Sequence, residues 1–251
     1  VDEAIKRLPL AAAAVRGLMV EVEDRDGASE VLAFTLMNLA VKARAGKADL
    51  KVILFFPPGL ARHRADLIRR LANYADMLGT VFGEGGREDV NWVVEQAMNK
   101  PVLLRIPDPS AAAYLDAVMA TAGTSVQMLW MEPADAASVD RACAPADLLA
   151  KFVRDGFTTM ETPASPFKLS ADAPVAVRWF TEGRSADVSA VVKAPPGAPG
   201  SVRLAGPAGQ YEVQWYDAAT AKRLPAGDVK RSEKGVSQEL SAAGGHLILS
   251  I

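Results

Sequence analysis

The 251-residue sequence is short of the residues on which several common chemistries depend. A single cysteine, Cys143, excludes an intrachain disulfide and any cysteine-based metal site. Histidine occurs twice. His63 lies in LARHRADLIRRL (60–71), a cationic stretch with helical spacing, and His246 lies in the terminal strand-like run GGHLILSI. Neither stands beside a nucleophile at a strand end, as a Ser-His-Asp triad requires, and two histidines so placed do not make a zinc site. An excess of one charge is also missing: 28 Lys+Arg against 30 Asp+Glu leave a net charge of −2. Nothing in that balance argues for a nucleic-acid partner. No apolar run approaches the roughly 20 residues that span a bilayer. LPLAAAAV (8–15) is too short for that and lacks the layout of a signal peptide, so the chain reads as mature or trimmed. No metal and no cofactor is expected, which leaves carboxylates as the candidate acids and bases.

What the chain does have is a series of short apolar runs that end in an acidic residue or a proline. They are LMVEVED (18–24), VILFFPP (52–58), GTVFGEG (79–85), VLLRIPDP (102–109), VQMLWMEP (126–133) and FTTMETP (157–163). Near-continuous runs of this kind, separated by helix-length segments, predict parallel strands buried on both faces with helices crossing between them. The intervening segments 28–46, 60–78, 87–99, 110–123 and 137–156 carry apolar residues at helical spacing, and Pro145 is expected to break the last into two pieces. In such folds ligands bind at the carboxyl ends of the strands. The residues found there are Glu23, Glu84, Asp108, Glu132 and Glu161.

After Glu161 the pattern changes. TPASPFKLSADAP (162–174) has three prolines and no helical period and reads as a linker. Beyond it, VAVRWF, ADVSAVVKA, SVRLAG, YEVQWYD, VSQEL and HLILSI are short runs between Gly/Pro turns, the pattern of a small antiparallel β-sandwich. The expected fold class is therefore α/β: a partial TIM-type β/α barrel of parallel strands over residues 1–165, then a β-sandwich domain over 174–251. Six βα units do not close an eight-stranded barrel, so either the sheet is open or, as the helical start of the chain favours, one or two strands lie upstream of Val1 or on a second chain.

The segment GQYEVQWYDAATAKRLPAGDV (209–229), with Trp215-Tyr216-Asp217 leading into a polar turn at Ala218–Ala221, resembles the C-terminal β-sandwich of many barrel-type glycoside hydrolases. The usual glycine of that turn is absent here. HLILSI resembles the closing strand of the same module. This similarity implies the later part of a TIM-barrel glycoside hydrolase, acting on a polysaccharide or oligosaccharide by carboxylate acid/base catalysis, secreted or periplasmic. The alternative is a non-catalytic carbohydrate-binding or assembly subunit with a degenerate barrel.

Glycoside hydrolysis uses two carboxyl groups flanking the scissile bond, one of them holding its proton near neutral pH. Glu84, Glu132 and Glu161 are the candidates for those roles. Trp130, two residues before Glu132, is a candidate sugar platform on the same strand face, and Asp108 and Glu23 are candidate substrate contacts. Glu84 and Glu161 lie three strands apart, the separation seen in the large retaining clan of barrel glycosidases. The Asn-Glu pair of that clan is absent, because Glu84 follows Gly83. The bland alternative is that each glutamate satisfies a helix N-terminus. Gly83-Glu84-Gly85-Gly86 matches no phosphate loop, and Glu84 would repel an anion. The acidic loop Glu21, Glu23, Asp24, Asp26 matches no calcium loop and reads as a solvated turn. Arg62, Arg64, Arg69 and Arg70 read as a solvated helix face, and Trp179 and Trp215 as core residues of the sandwich.

Overall fold

The computed structural model describes residues 17–21, 51–56, 65–83, 86–124, 126–131, 135–152, 158–160, 165–181, 188–194, 200–225, 229–232, 235–242 and 245–251, together with single helical positions between 35 and 45. These residues form a mixed α/β chain that divides into two compact units, Val1–Pro107 with Thr124–Glu132, and Asp108–Gly123 with Pro133–Ile251.

In the first unit five strands pair in the order in which they occur. They are β1 (Gly17–Glu21), β2 (Lys51–Phe56), β3 (Met77–Val81), β4 (Val102–Ile106) and β5 (Val126–Met131). Every described pairing is parallel, with Val20 opposite Leu54, Leu54 opposite Leu78, Leu78 opposite Val102 and Leu104 opposite Leu129. A sheet whose sequence order and spatial order coincide has no reversal point, so each crossover steps in the same direction. That is the strand order of a β/α barrel, as distinct from that of a doubly wound sheet.

Alternation along the strands gives the sheet two unlike faces. Val52, Leu54, Phe56, Leu78 and Val102 point to one side and are buried in a cluster with Leu67, Ile68, Leu71 and Ala72 of α1 (Ala65–Ala72) and Val93 of α2 (Gly86–Gln96). In α1 the buried set falls at i, i+1, i+4 and i+5, while Arg69 and Arg70 point outward. The Arg69 Nε–H donates to Gln96 Oε1 of α2 at 2.7 Å. The start of β2 is fixed by Asp76: the Val52 N–H donates to Asp76 Oδ2, and the Asp76 N–H donates to the Val52 carbonyl, each at 2.8 Å.

The second unit contains α3 (Ala111–Thr121), α4 (Ala136–Phe152) and strands β6 to β15. Ser110 caps α3 by accepting the Ala113 N–H at 3.1 Å. One antiparallel sheet runs β13 (Val229–Ser232), β14 (Gly235–Ala242), β10 (Gly200–Gly206), β7 (Lys168–Ala171). The other runs β12 (Lys222–Arg223), β11 (Gln214–Asp217), β15 (Gly245–Ser250), β9 (Val188–Ala194), β8 (Ala176–Thr181), β6 (Thr158–Met160). Side chains from both sheets join one buried cluster around Trp179, Trp215, Val202, Leu204 and Leu249. Trp179 and Trp215 are 1% exposed, so they fill the core and offer no sugar platform. The Trp215 Nε1–H donates to Gln238 Oε1 of the other sheet at 3.0 Å, which satisfies two polar groups that burial would otherwise strand.

Three expectations are corrected. The run FTTMETP does not supply a sixth parallel strand: Thr158–Met160 pair antiparallel with Trp179–Thr181. Two threonines in a three-residue strand do not make the continuous apolar run of a strand buried on both faces. The segment taken as a linker contains β7, which pairs with β10, and Phe167 before it is buried against Trp179 at 6.4 Å and Tyr211 at 5.2 Å between ring centroids. Gly206 makes room for that ring, since a Cβ there would lie 2.4 Å from Phe167 Cδ1. Finally, α4 continues through Pro145. The proline removes one N–H, but Leu148 and Leu149 beyond it are buried and hold the C-terminal half in place.

Candidate functional site

The face of the parallel sheet opposite α1 and α2 carries a charged group and an exposed aromatic at the strand carboxyl ends. Phe55 of β2, Gly79 of β3 and Leu103 of β4 fill its centre, all buried. Gly79 is required by this packing: a Cβ at that position would lie 2.4 Å from Phe55 Cδ2, so only glycine lets the ring lie across the neighbouring strand. Two residues further along β4, Arg105 stands on the same face, in register with Val81 on one side and Trp130 of β5 on the other. Its guanidinium lies over both rings, 5.7 Å from the Phe55 centroid and 5.6 Å from the Trp130 centroid. Each such contact contributes about 0.5–1 kcal/mol where water has access, and more where it is excluded.

Glu21, the last residue of β1, reaches Arg105 at 4.0 Å. The Glu21 side chain is 57% exposed, so this pair adds a few tenths of a kcal/mol at most and is screened by salt. The carboxyl end of the sheet thus presents Trp130, 36% exposed, with a cation beneath it and a carboxylate nearby. A partly exposed indole can offer a flat apolar surface to the C–H face of a sugar ring, and the flanking charges can offer hydrogen bonds to hydroxyls.

Of the residues expected from the sequence, Trp130 falls on this face. Asp108 is exposed and engaged in the α3 N-terminus: its Oδ1 accepts the Ser110 N–H at 3.0 Å and its Oδ2 accepts the Ser110 hydroxyl at 2.9 Å. Glu23, Glu84, Glu132 and Glu161 lie outside the described residues. Glu161 follows a strand of the antiparallel sheet, so the reasoning that set it at the end of a parallel strand does not apply. Sequence reading missed Arg105 and Phe55 and took Glu21 for part of a solvated turn. The signal for Arg105 was present: a lone cation inside VLLRI must either face a partner or a wet cleft. Among the described residues no group of three or more His, Cys, Asp or Glu side chains could hold a metal ion.

A second cluster of charged groups lies in the other unit. Asp116 of α3 accepts from Lys193 Nζ of β9 at 2.6 and 2.8 Å, and its Oδ1 lies 2.9 Å from His246 Nε2 of β15. The carboxylate acceptor fixes the imidazole tautomer with its proton on Nε2. Burial pushes the His246 pKa below its ordinary value, Asp116 opposes that shift, and Lys193 reinforces it. On the same helix, burial raises the Tyr114 phenol, with Cys143 and Asp147 adding to the effect.

Among the described residues no helix is long and apolar enough to cross a membrane. No protein-family model matches the sequence, and no curated protein matches it. Among solved structures, the chain is similar to a glycoside hydrolase family 30, subfamily 8 xylanase from Clostridium acetobutylicum, with a TM-score of 0.40 and 9% identity over 100% of this chain and 92% of that chain. It is also similar to the catalytic domain of a family 30 xylanase C from Talaromyces cellulolyticus, with a TM-score of 0.39 and 10% identity over 84% of this chain and 78% of that chain. Likeness this loose identifies no family.

Proposed function

We propose that the chain is a glycoside hydrolase-like protein that binds a polysaccharide or oligosaccharide at the carboxyl ends of its parallel strands. The observation that carries this reading is the half-exposed Trp130 indole on the face opposite α1 and α2, steadied by Arg105 beside Glu21. The parallel strand order and the sequence resemblance of the 209–229 segment support it. In this reading Glu84 and Glu132, which follow the apolar runs of β3 and β5, supply the acid and base, and Glu23 and Asp108 contact substrate. The protein works without a cofactor, outside the cytoplasm, and takes carbohydrate as its partner.

A second reading, binding without hydrolysis, is favoured by one feature. Among the described residues Glu21 is the only carboxylate on this face at the strand ends, and it is directed at Arg105, whereas hydrolysis takes two. Hydrolysis assays on a panel of plant and bacterial polysaccharides separate the two. If the chain is an enzyme, Glu84→Gln and Glu132→Gln each lose about 10²–10⁴-fold in rate while remaining folded. Wild-type rates in both refute the assignment of these acids, and sugar binding with no hydrolysis by the natural chain establishes the second reading.

A further inference from the structure

The Asp116–Lys193–His246 cluster has no part in the proposed site, yet it joins three elements of the second unit. Asp116 stands in the middle of α3, and Lys193 and His246 are cross-strand partners on β9 and β15. One carboxylate therefore receives both neighbours' donors and fastens the helix to the sheet at two adjacent strands. A third fastening lies closer to the C-terminal end of α3, where the Arg178 Nε–H of β8 donates to the Met119 carbonyl at 3.1 Å.

We propose that Asp116, Lys193 and His246 form an acid-released latch: the cluster holds α3 to β9 and β15 while the imidazole is neutral, and lets go when the imidazole takes up a proton. The geometry sets the sense of the switch. The His246 side chain is 7% exposed, and the Lys193 and Asp116 side chains are 44% and 29% exposed. Asp116 is shared with Lys193, so a proton on His246 places two cations against one carboxylate, the imidazolium being the one cut off from water. Among the described residues, the charged groups that face the ring are Asp116 from α3 and Lys193 from β9. The neighbouring β11 brings Asp217 opposite Leu247, with its Oδ1 accepting the Thr220 N–H, and the Ala218 N–H donates to the His246 carbonyl.

Burial depresses the folded-state pKa of His246, so the unfolded or opened state binds more protons once the pH falls below the ordinary histidine value near 6.5. The latch is at full strength above that pH and weakens as the pH falls through the folded value. Each unit of pKa difference corresponds to about tenfold in the opening equilibrium. Hydrogen exchange of the 111–121 amides, corrected for intrinsic exchange chemistry between pH 8 and pH 5, reads that equilibrium directly. The wild type is expected to lose protection as the pH drops below about 6.5, and His246→Gln, which can still donate to Asp116 but does not titrate, is expected to lose this pH dependence. Because the chain has only two histidines, NMR titration of the wild type with His63→Gln as assignment control gives the His246 value without relying on that variant. It should lie below the ordinary value, move up in Lys193→Met and down further in Asp116→Asn. A His246 that titrates at or above the ordinary value, or equal pH dependence of 111–121 protection in wild type and His246→Gln, overturns the latch.

Discussion

The two faces of the parallel sheet are made by the same five strands, yet they obey different rules. On the helix-backed face, every described residue of β2, β3 and β4 is buried, and all are apolar except Thr80, whose hydroxyl donates to the Phe56 carbonyl at 3.0 Å. On the opposite face the buried centre of Phe55, Gly79 and Leu103 gives way toward the carboxyl ends to Arg105, Glu21 and the half-exposed Trp130. The first face is constrained by volume and the second by chemistry. Substitutions on the first should therefore appear as stability changes, and substitutions at the rim of the second as binding changes.

The largest expected effect tests the first half of that contrast. Phe56→Ala removes a fully buried ring from the cluster shared with α1 and should cost about 3–5 kcal/mol in chemical denaturation. A loss under about 1 kcal/mol would mean that this face is not the close-packed core described, since ring truncations in cores cost several times more. Gly79→Ala tests the centre of the opposite face. The added methyl meets Phe55 Cδ2, and Phe55 is itself buried, so the ring has nowhere to retreat without disturbing its packing. Overpacking of this kind costs about 1–3 kcal/mol, and it should also displace Arg105 from Phe55 and so weaken sugar binding. If Gly79→Ala is neutral in melting temperature, the close approach of Phe55 to β3 is wrong.

Much of this arrangement was legible in the sequence because buried parallel strands advertise themselves. VILFF, VLLRI and VQMLWM are runs that only a doubly covered sheet or a buried helix can absorb, and the helical segments between them selected the sheet. Six strands of the second unit, β8 to β11, β14 and β15, were legible from their Gly/Pro punctuation. The misreadings have physical causes. FTTM is too short for periodicity to separate a parallel from an antiparallel partner, and it pairs with β8 across the intervening β7, which lies in the other sheet. β7 was hidden by the prolines around it, although Phe167 was a core residue in plain view. Pro145 does not end α4, because tertiary burial of Leu148 and Leu149 outweighs one missing hydrogen bond. Arg105 was read as part of an apolar run, and its role emerges only when register sets it between Phe55 and Trp130.

The smallest change in stability belongs to the residue on which the functional reading depends. Trp130→Ala removes a side chain that is already 36% exposed at the end of β5, so the protein should stay folded, with a loss well below that of Phe56→Ala. Its effect should appear in calorimetric titration with the oligosaccharide that the wild type binds best, as an affinity loss of about tenfold, the worth of one aromatic platform. Unchanged affinity in a folded Trp130→Ala protein would contradict the claim that carbohydrate binds at the carboxyl end of the face opposite α1 and α2.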